Sequence, residues 1–132
     1  MMAKLERSPQ PARMEAVSRD ALVQAALQEI NQNYREASLS NVARAYGVSL
    51  AYVSECVRAQ TGRTYKELLQ KHRMETAARL LRRSDLNIQQ IIAQVGYENT
   101  SYFYRLFHER YGLSPREYRM VRTGTAPRRP TA

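Results

Sequence analysis

Arg105 has the chemistry needed to recognise a nucleic-acid base. A guanidinium can donate two hydrogen bonds to the paired acceptors of guanine in the major groove. If the surrounding segment is a helix that buries Phe103, Leu106 and Phe107, its opposite side is left to face base edges. The candidates for base contact on that side are Thr100, Ser101, Tyr104, Arg105 and His108. The alternative for Arg105 is a surface ion pair with Glu109 one helical turn later.

A second segment, about fifty residues earlier, has the same organisation with different chemistry. Burial of Val53, Cys56 and Val57 would leave Leu50, Ala51, Ser54, Glu55 and Arg58 facing outward. Glu55 takes the position of Arg105, where phosphates repel an acid but the amino group of cytosine can donate to it. Alternatively, Glu55 pairs with Arg58 or Arg44 and contacts no base. Ala51 and Ser54 can pack near thymine methyls, so this segment promises less base discrimination.

The elements that would position these side chains form a repeated pattern. Each candidate segment follows a short apolar segment and a glycine, Gly47 or Gly96. The apolar residues recur at i, i+3, i+4 and i+7, the spacing of one buried helical face. They are Leu39, Val42, Ala43 and Tyr46 in the first copy, and Ile88, Ile91, Ile92 and Val95 in the second. Two helices joined by a tight turn predict a helix-turn-helix in each copy.

Local signals mark where the helices begin and end. Ser49 is a candidate cap, and capping boxes are predicted at Thr64 with Glu67, Asn87 with Gln90, and Ser114 with Glu117. Gly62 and Gly112 stand where helices should stop. Polar residues at the starts of the supporting helices either contact DNA phosphates or only cap those helices: Ser40, Asn41, Gln89 and Gln90. Four tyrosines are expected in the core: Tyr46, Tyr65, Tyr97 and Tyr118.

The whole pattern predicts an all-α fold of about seven helices, with two helix-turn-helix subdomains joined by a long connecting helix. The predicted divisions are a flexible arm over 1–18, a first subdomain over 19–63, a connecting helix over 64–84, a second subdomain over 85–120 and a disordered basic tail over 121–132. A helix over 64–84 would be about 31 Å long, close to the ~34 Å turn of B-DNA. That length would suit two recognition helices in successive major grooves.

Composition narrows the function. The 132 residues carry a formal charge of +9, which favours a polyanion, either nucleic acid or an acidic membrane surface. Cys56 is the single cysteine, so neither a disulfide framework nor a cysteine-based zinc site is expected. No other metal site and no cofactor is predicted. There is no apolar run of the roughly 18 residues that span a bilayer and no signal peptide, which predicts a cytoplasmic protein. A catalytic role for Cys56 is disfavoured by its place on the inner side of a helix, and no enzyme is predicted.

Two longer stretches resemble a known family. The run Gly96-Tyr97-Glu98-Asn99-Thr100-Ser101-Tyr102-Phe103-Tyr104-Arg105-Leu106-Phe107, with Tyr111-Gly112-Leu113-Ser114-Pro115-Arg116-Glu117-Tyr118-Arg119, resembles the signature of AraC/XylS-type bacterial transcription regulators. The run Arg73-Met74-Glu75-Thr76-Ala77-Ala78-Arg79-Leu80-Leu81 resembles that family's connecting helix. The similarity covers roughly residues 20–120.

The resemblance implies seven helices, binding to double-stranded promoter DNA, and usually activation through RNA polymerase, in the cytoplasm at the nucleoid. By family position, Ala51, Ser54 and Glu55 would face bases in the first unit, and Thr100, Ser101, Tyr104 and Arg105 in the second. The chain departs from the family at Glu55, where members often carry Arg, and at Ala51, where a larger side chain is frequent. Two alternatives stay open: an interaction module with a degenerate first recognition helix, and the DNA-binding fragment of a longer effector-responsive regulator.

Overall fold

The computed structural model describes residues 17–123, and these residues form seven helices and no strand. In chain order the helices are α1 Arg19–Asn33, α2 Leu39–Tyr46, α3 Leu50–Thr61, α4 Tyr65–Arg83, α5 Ile88–Gln94, α6 Thr100–Tyr111 and α7 Pro115–Thr123. The prediction of an all-α fold with about seven helices is confirmed. Residues 1–16 of the predicted arm and 124–132 of the predicted tail lie outside the described residues.

The helix ends follow from the side chains that were expected to cap them. Ser49 accepts a hydrogen bond from the Tyr52 backbone N–H at 3.0 Å and begins α3. The Asn87–Gln90 capping box begins α5, with both bonds at 2.8 Å. The predicted boxes at Thr64 with Glu67 and at Ser114 with Glu117 are also formed. These bonds satisfy amide groups that the first turn of a helix leaves without intrahelical partners.

The chain divides into two compact units whose boundary falls between Leu69 and Gln70, inside α4. In the first unit, α1 packs on α2 and α3, and the buried residues include Leu22, Ile30, Val42, Val53 and Val57. Helices α2 and α3 are joined by a tight turn that begins at Gly47, which has a φ of 67°. Together they form the first helix-turn-helix.

The second unit contains the remainder of α4 and helices α5 to α7. Its buried residues include Met74, Leu81, Ile91, Phe103 and Phe107. Gly96, with a φ of 102°, lies in the longer turn between α5 and α6. Here α5 and α6 form the second helix-turn-helix, so the repeat inferred from the sequence exists in both units.

Two expectations differ from the structure. Tyr46, expected in the core, is 38% exposed, because it is the last residue of α2 and the chain turns at Gly47 immediately after it. Tyr65, Tyr97 and Tyr118 are buried as expected. The last helix continues to Thr123, three residues into the range assigned to a disordered tail.

Candidate nucleic-acid interface

The two recognition helices, α3 and α6, have matching construction. Each contains 12 residues and ends at a glycine with positive φ, 78° at Gly62 and 75° at Gly112. Each buries its fourth residue, Val53 or Phe103, completely. The two helices therefore offer one inner and one outer face at equivalent positions.

The outer face of α3 carries all the residues predicted for it. Every one of these residues is exposed: Leu50, Ala51, Ser54, Glu55 and Arg58. Leu50 is 49% exposed, so its apolar side chain is available to a partner. Cys56 is only 1% exposed and so lies on the inner face, as predicted.

The outer face of α6 is more polar. Ser101, Tyr104, Arg105 and His108 are exposed, whereas Thr100 is partly buried. Asn99 accepts a hydrogen bond from the Tyr102 backbone N–H at 2.9 Å and so begins the helix. Asn99, Ser101, Tyr102 and Arg105 line a shallow depression on this surface.

Arg105 rests on an aromatic ring of its own helix. Its guanidinium carbon lies 5.1 Å from the centroid of the Tyr102 ring, within cation–π range. Among the described residues, Arg105 makes no ion pair with Glu109. The structure therefore does not contain the surface ion pair that was the alternative for this arginine. Arg105 thus keeps all its hydrogen-bond donors available while its position is restricted.

The Tyr102 ring is itself held in place. Its hydroxyl accepts a hydrogen bond of 2.7 Å from the Gln70 side-chain amide on α4. The Tyr102 ring also makes an edge-to-face contact with the Tyr97 ring, at a centroid distance of 6.0 Å. Arg73 lies over the Tyr97 ring, with its guanidinium carbon 5.1 Å from the ring centroid. Burial raises the pKa of Tyr97, and the charge of Arg73 partly offsets that rise. We call Gln70, Tyr97 and Tyr102 the Tyr102 support.

Sequence reasoning missed the Tyr102 support in part. Tyr102 lies three residues before Arg105, so helical spacing alone could have suggested the stacking. Gln70 lies 32 residues from Tyr102 in the chain, and no local pattern indicates that bond.

Glu55 occupies the position on α3 that Arg105 has on α6, and its surroundings are different. It is exposed, and in the described part of the chain it makes no ion pair with Arg44 or Arg58. Arg44 instead donates a 2.8 Å hydrogen bond to the side-chain oxygen of Asn41. The pairing that would have neutralised Glu55 is therefore absent, and its carboxylate faces solvent.

The four candidates for phosphate contact lie in two different situations. Ser40 and Gln89 are exposed at the starts of α2 and α5. Gln90 is committed to the capping box with Asn87. The amide of Asn41 donates to Glu29 at 3.0 Å. Ser40 and Gln89 are consequently better placed for a phosphate than Asn41 and Gln90.

Glu29 ties the start of α2 to α1. One of its oxygens accepts hydrogen bonds from Asn41, from the Ser38 backbone and from Asn33. These bonds, with the Asn41 amide as the largest effect, lower the pKa of Glu29 below its ordinary 4.5. The hydrogen bonds thus favour the ionised form of Glu29. The first helix of this helix-turn-helix is held to α1 by that carboxylate.

The residues that the structure describes contain no other evident chemical centre. In that part of the chain no three His, Cys, Asp or Glu residues gather as metal ligands would. Within the same range no helix is long and apolar enough to span a bilayer.

Comparisons with known proteins agree with this geometry. A family model described as a helix-turn-helix domain matches residues 42–120, more than half of the chain. The transcriptional activator NphR of Rhodococcus sp is 37% identical over 92 residues, which cover 68% of this chain and 27% of NphR. The transcriptional activator RhaS of Shigella boydii serotype 18 is 32% identical over 89 residues, 67% of this chain and 32% of RhaS.

A solved structure is also similar. The C-terminal domain of AraT, a response regulator from Geobacillus stearothermophilus, has a TM-score of 0.71 and 36% sequence identity. The alignment covers 76% of this chain and 85% of that domain. The chain spans about a third or less of the length of the two curated relatives, but most of this solved domain.

Proposed function

The chain belongs to the AraC/XylS-type family of helix-turn-helix domains, and from this premise we propose that it binds double-stranded promoter DNA sequence-specifically and regulates transcription. The family consists of the DNA-binding domains of transcription regulators, which are not enzymes. The observation that carries the proposal is the outer face of α6, where Arg105 is held on Tyr102 with its donors available. A recognition helix meets bases with residues near its N-terminus, where this cluster lies.

The two units divide the work in this proposal. The second unit, through Arg105, specifies most of the sequence, and Ser101, Tyr104 and His108 extend the same face. The first unit offers Ala51 and the acidic Glu55, which favours a positioning role over strong base discrimination. The occupation of successive major grooves by α3 and α6 remains a prediction.

We further propose that the chain activates transcription in the bacterial cytoplasm, at the nucleoid, through contact with RNA polymerase. NphR and RhaS are both named as activators, which supports the direction of regulation. Transcription in vitro from a promoter bearing the selected site, with and without the protein, measures this directly. A fall in transcript would indicate repression instead.

The binding proposal is tested by selecting sequences from a random duplex pool with the full 132-residue chain. We expect an enriched motif that includes at least one strongly preferred guanine. The selected duplex and a scrambled duplex of equal composition are then compared at one salt concentration, and a specific site should bind about 10³-fold or more tightly. Equal affinity for the two duplexes would overturn the proposal.

The exposed Leu50, together with Ala51 and Glu55, supports the alternative of an interaction module whose first recognition helix contacts a protein partner. Footprinting on the selected duplex separates the alternatives. Two neighbouring protected segments support DNA contact by both units, whereas a single protected segment supports the interaction module.

A further inference from the structure

A tyrosine occupies the third position of both recognition helices, and a guanidinium lies over each ring. On α6 the pair is Tyr102 with Arg105, and on α3 it is Tyr52 with Arg19, whose guanidinium carbon is 5.8 Å from the ring centroid. Both tyrosines also donate their backbone N–H to the helix cap, Ser49 or Asn99. The arrangement of ring, cap and cation is therefore repeated, although its cation comes from a different part of the chain.

The cation over Tyr52 comes from outside α3 for a physical reason. The residue three positions after Tyr102 is Arg105, whereas the residue three positions after Tyr52 is Glu55. The first recognition helix thus cannot supply its own guanidinium at that place. Arg19 is the first residue of α1 and reaches the Tyr52 ring from outside the helix-turn-helix.

Neighbouring contacts fix the start of α1 beside α3. Asp20 accepts a 2.9 Å hydrogen bond from the Gln60 side chain of α3. Ser18 caps α1 by accepting from the Ala21 backbone N–H at 3.0 Å. The pKa of Arg19 is raised, with hydrogen bonding to Tyr52 the largest cause and the charge of Glu55 the smallest. Arg19 is exposed, so its guanidinium is held near α3 without being buried.

This location borders the outer face of α3 without belonging to it. Tyr52 follows Ala51 by one residue, a step of about 100° around a helix. A cation above Tyr52 therefore flanks the base-facing residues at the N-terminal end of α3, which is where phosphates border the groove that a recognition helix enters. A guanidinium suits a phosphate there because it can donate two parallel hydrogen bonds.

We propose that Arg19 is a phosphate contact of the first unit and that Tyr52 is its positioning residue. The inference rests on the proposed DNA binding. It assigns to α1 a direct part in contact with the duplex, and it restores a positive charge next to Glu55. The second unit needs no such addition because Arg105 lies on its own recognition helix.

The test uses Arg19→Ala in the full chain, with Arg63→Ala as the matched control. Arg63 is also an exposed arginine, but it lies in the turn after the C-terminal end of α3. Affinity for the selected duplex is measured across a range of salt concentrations. Arg19→Ala should reduce the log–log slope by about 0.9, the contribution of one phosphate. It should weaken binding about two- to fivefold at fixed salt, without altering base preference.

Arg63→Ala should leave the slope unchanged. If Arg19→Ala keeps the slope and affinity of the wild-type chain while that chain still prefers the selected duplex, the assignment of Arg19 is wrong and the proposed function stands. If the wild-type chain shows no preference for any duplex, both proposals fail. A changed base preference in Arg19→Ala would make Arg19 a base contact and would overturn its assignment to phosphate.

The positioning role of Tyr52 is tested separately with Tyr52→Leu, which removes the ring but keeps an apolar side chain. Alone, it should weaken binding by up to the same two- to fivefold factor. In the Arg19→Ala background it should cause no further loss. A further loss in the double variant would show that the Tyr52 ring acts on DNA independently and would overturn the positioning role. Thermal unfolding of each variant verifies that the fold is retained.

Discussion

A long side chain loses rotational freedom when it binds a base, and Arg105 has lost part of that freedom before DNA is present. Its guanidinium lies on Tyr102, which is in turn bonded to Gln70. Ordering a free arginine costs up to about 2 kcal/mol of rotamer entropy, so partial ordering in the unbound protein favours binding. Glu55 has no comparable support, which is the physical basis for assigning different roles to the two recognition helices.

Arg105→Ala should reduce affinity for the selected duplex by about 1–3 kcal/mol, with the effect concentrated at one base position. The reason is that alanine removes a two-bond contact to one base. The measurement is competition among duplexes that differ at single positions. Arg110→Ala is the control, because Arg110 lies on the same helix but its guanidinium is 3.8 Å from Glu75. Equal weakening of all the duplexes by Arg105→Ala would identify a phosphate contact instead.

Glu55→Ala should tighten binding to every duplex by a similar factor, because it removes a carboxylate that phosphates repel. Base preference in the part of the site bound by the first unit should stay unchanged. Glu36→Ala, which removes an exposed acid outside the recognition helices, serves as the comparison. Loss of a preference for cytosine in Glu55→Ala would show that the carboxylate accepts a hydrogen bond from that base.

At the level of elements, the caps and turns were predictable and the contacts between elements were not. A cap such as Asn87 with Gln90 involves residues three apart, so its signal lies in one short stretch of sequence. The bond from Asn41 to Glu29 spans 12 residues and joins two helices, and no periodicity indicates it. Tyr46 illustrates a related limit. Helical spacing predicts which face of a helix a residue lies on, but not how deeply its side chain is buried at the end of the helix.

The glycines that end the two recognition helices should tolerate alanine at moderate cost. Both have a positive φ, and an added Cβ at either position meets no atom within 4 Å. Only backbone strain is introduced, about 1 kcal/mol for Gly62→Ala or Gly112→Ala. Asparagine at the same positions should cost less, because its side chain tolerates the left-handed conformation. Urea denaturation measures both series, and a loss above about 3 kcal/mol would indicate crowding that the structure does not contain.

The set of hydrogen bonds that Glu29 accepts, which we call the Glu29 anchor, should make the free energy of unfolding depend on pH. The folded-state pKa of Glu29 is lowered, so its contribution is complete above the ordinary value of 4.5 and is lost as pH falls through the folded value. Glu29→Gln should cost about 0.5–1.5 kcal/mol at neutral pH and less at acidic pH. Unfolding of both proteins between neutral pH and pH 3 measures the difference. Glu36→Gln should show no such convergence, and a constant difference for Glu29→Gln would contradict the anchor.

On the scale of the whole molecule, the charge of +9 supplies attraction to any polyanion, whereas the exposed face of α6 supplies discrimination. These two contributions respond differently to salt. Phosphate contacts release bound counterions and weaken steeply as salt rises. Hydrogen bonds to base edges release no counterions. The preference that they give for the selected duplex over the scrambled duplex should therefore persist as salt rises.

The affinity of the chain for both the selected and the scrambled duplex should therefore fall as salt rises, with a log–log slope near −0.9 for each phosphate contacted. The ratio of the two affinities should survive across the range, because it reflects base contacts made mainly by Arg105. Arg105→Ala should lower that ratio while leaving the slope on the scrambled duplex unchanged. A ratio that disappeared at moderate salt in the wild-type chain would mean that net charge, and not the surface of α6, selects the DNA.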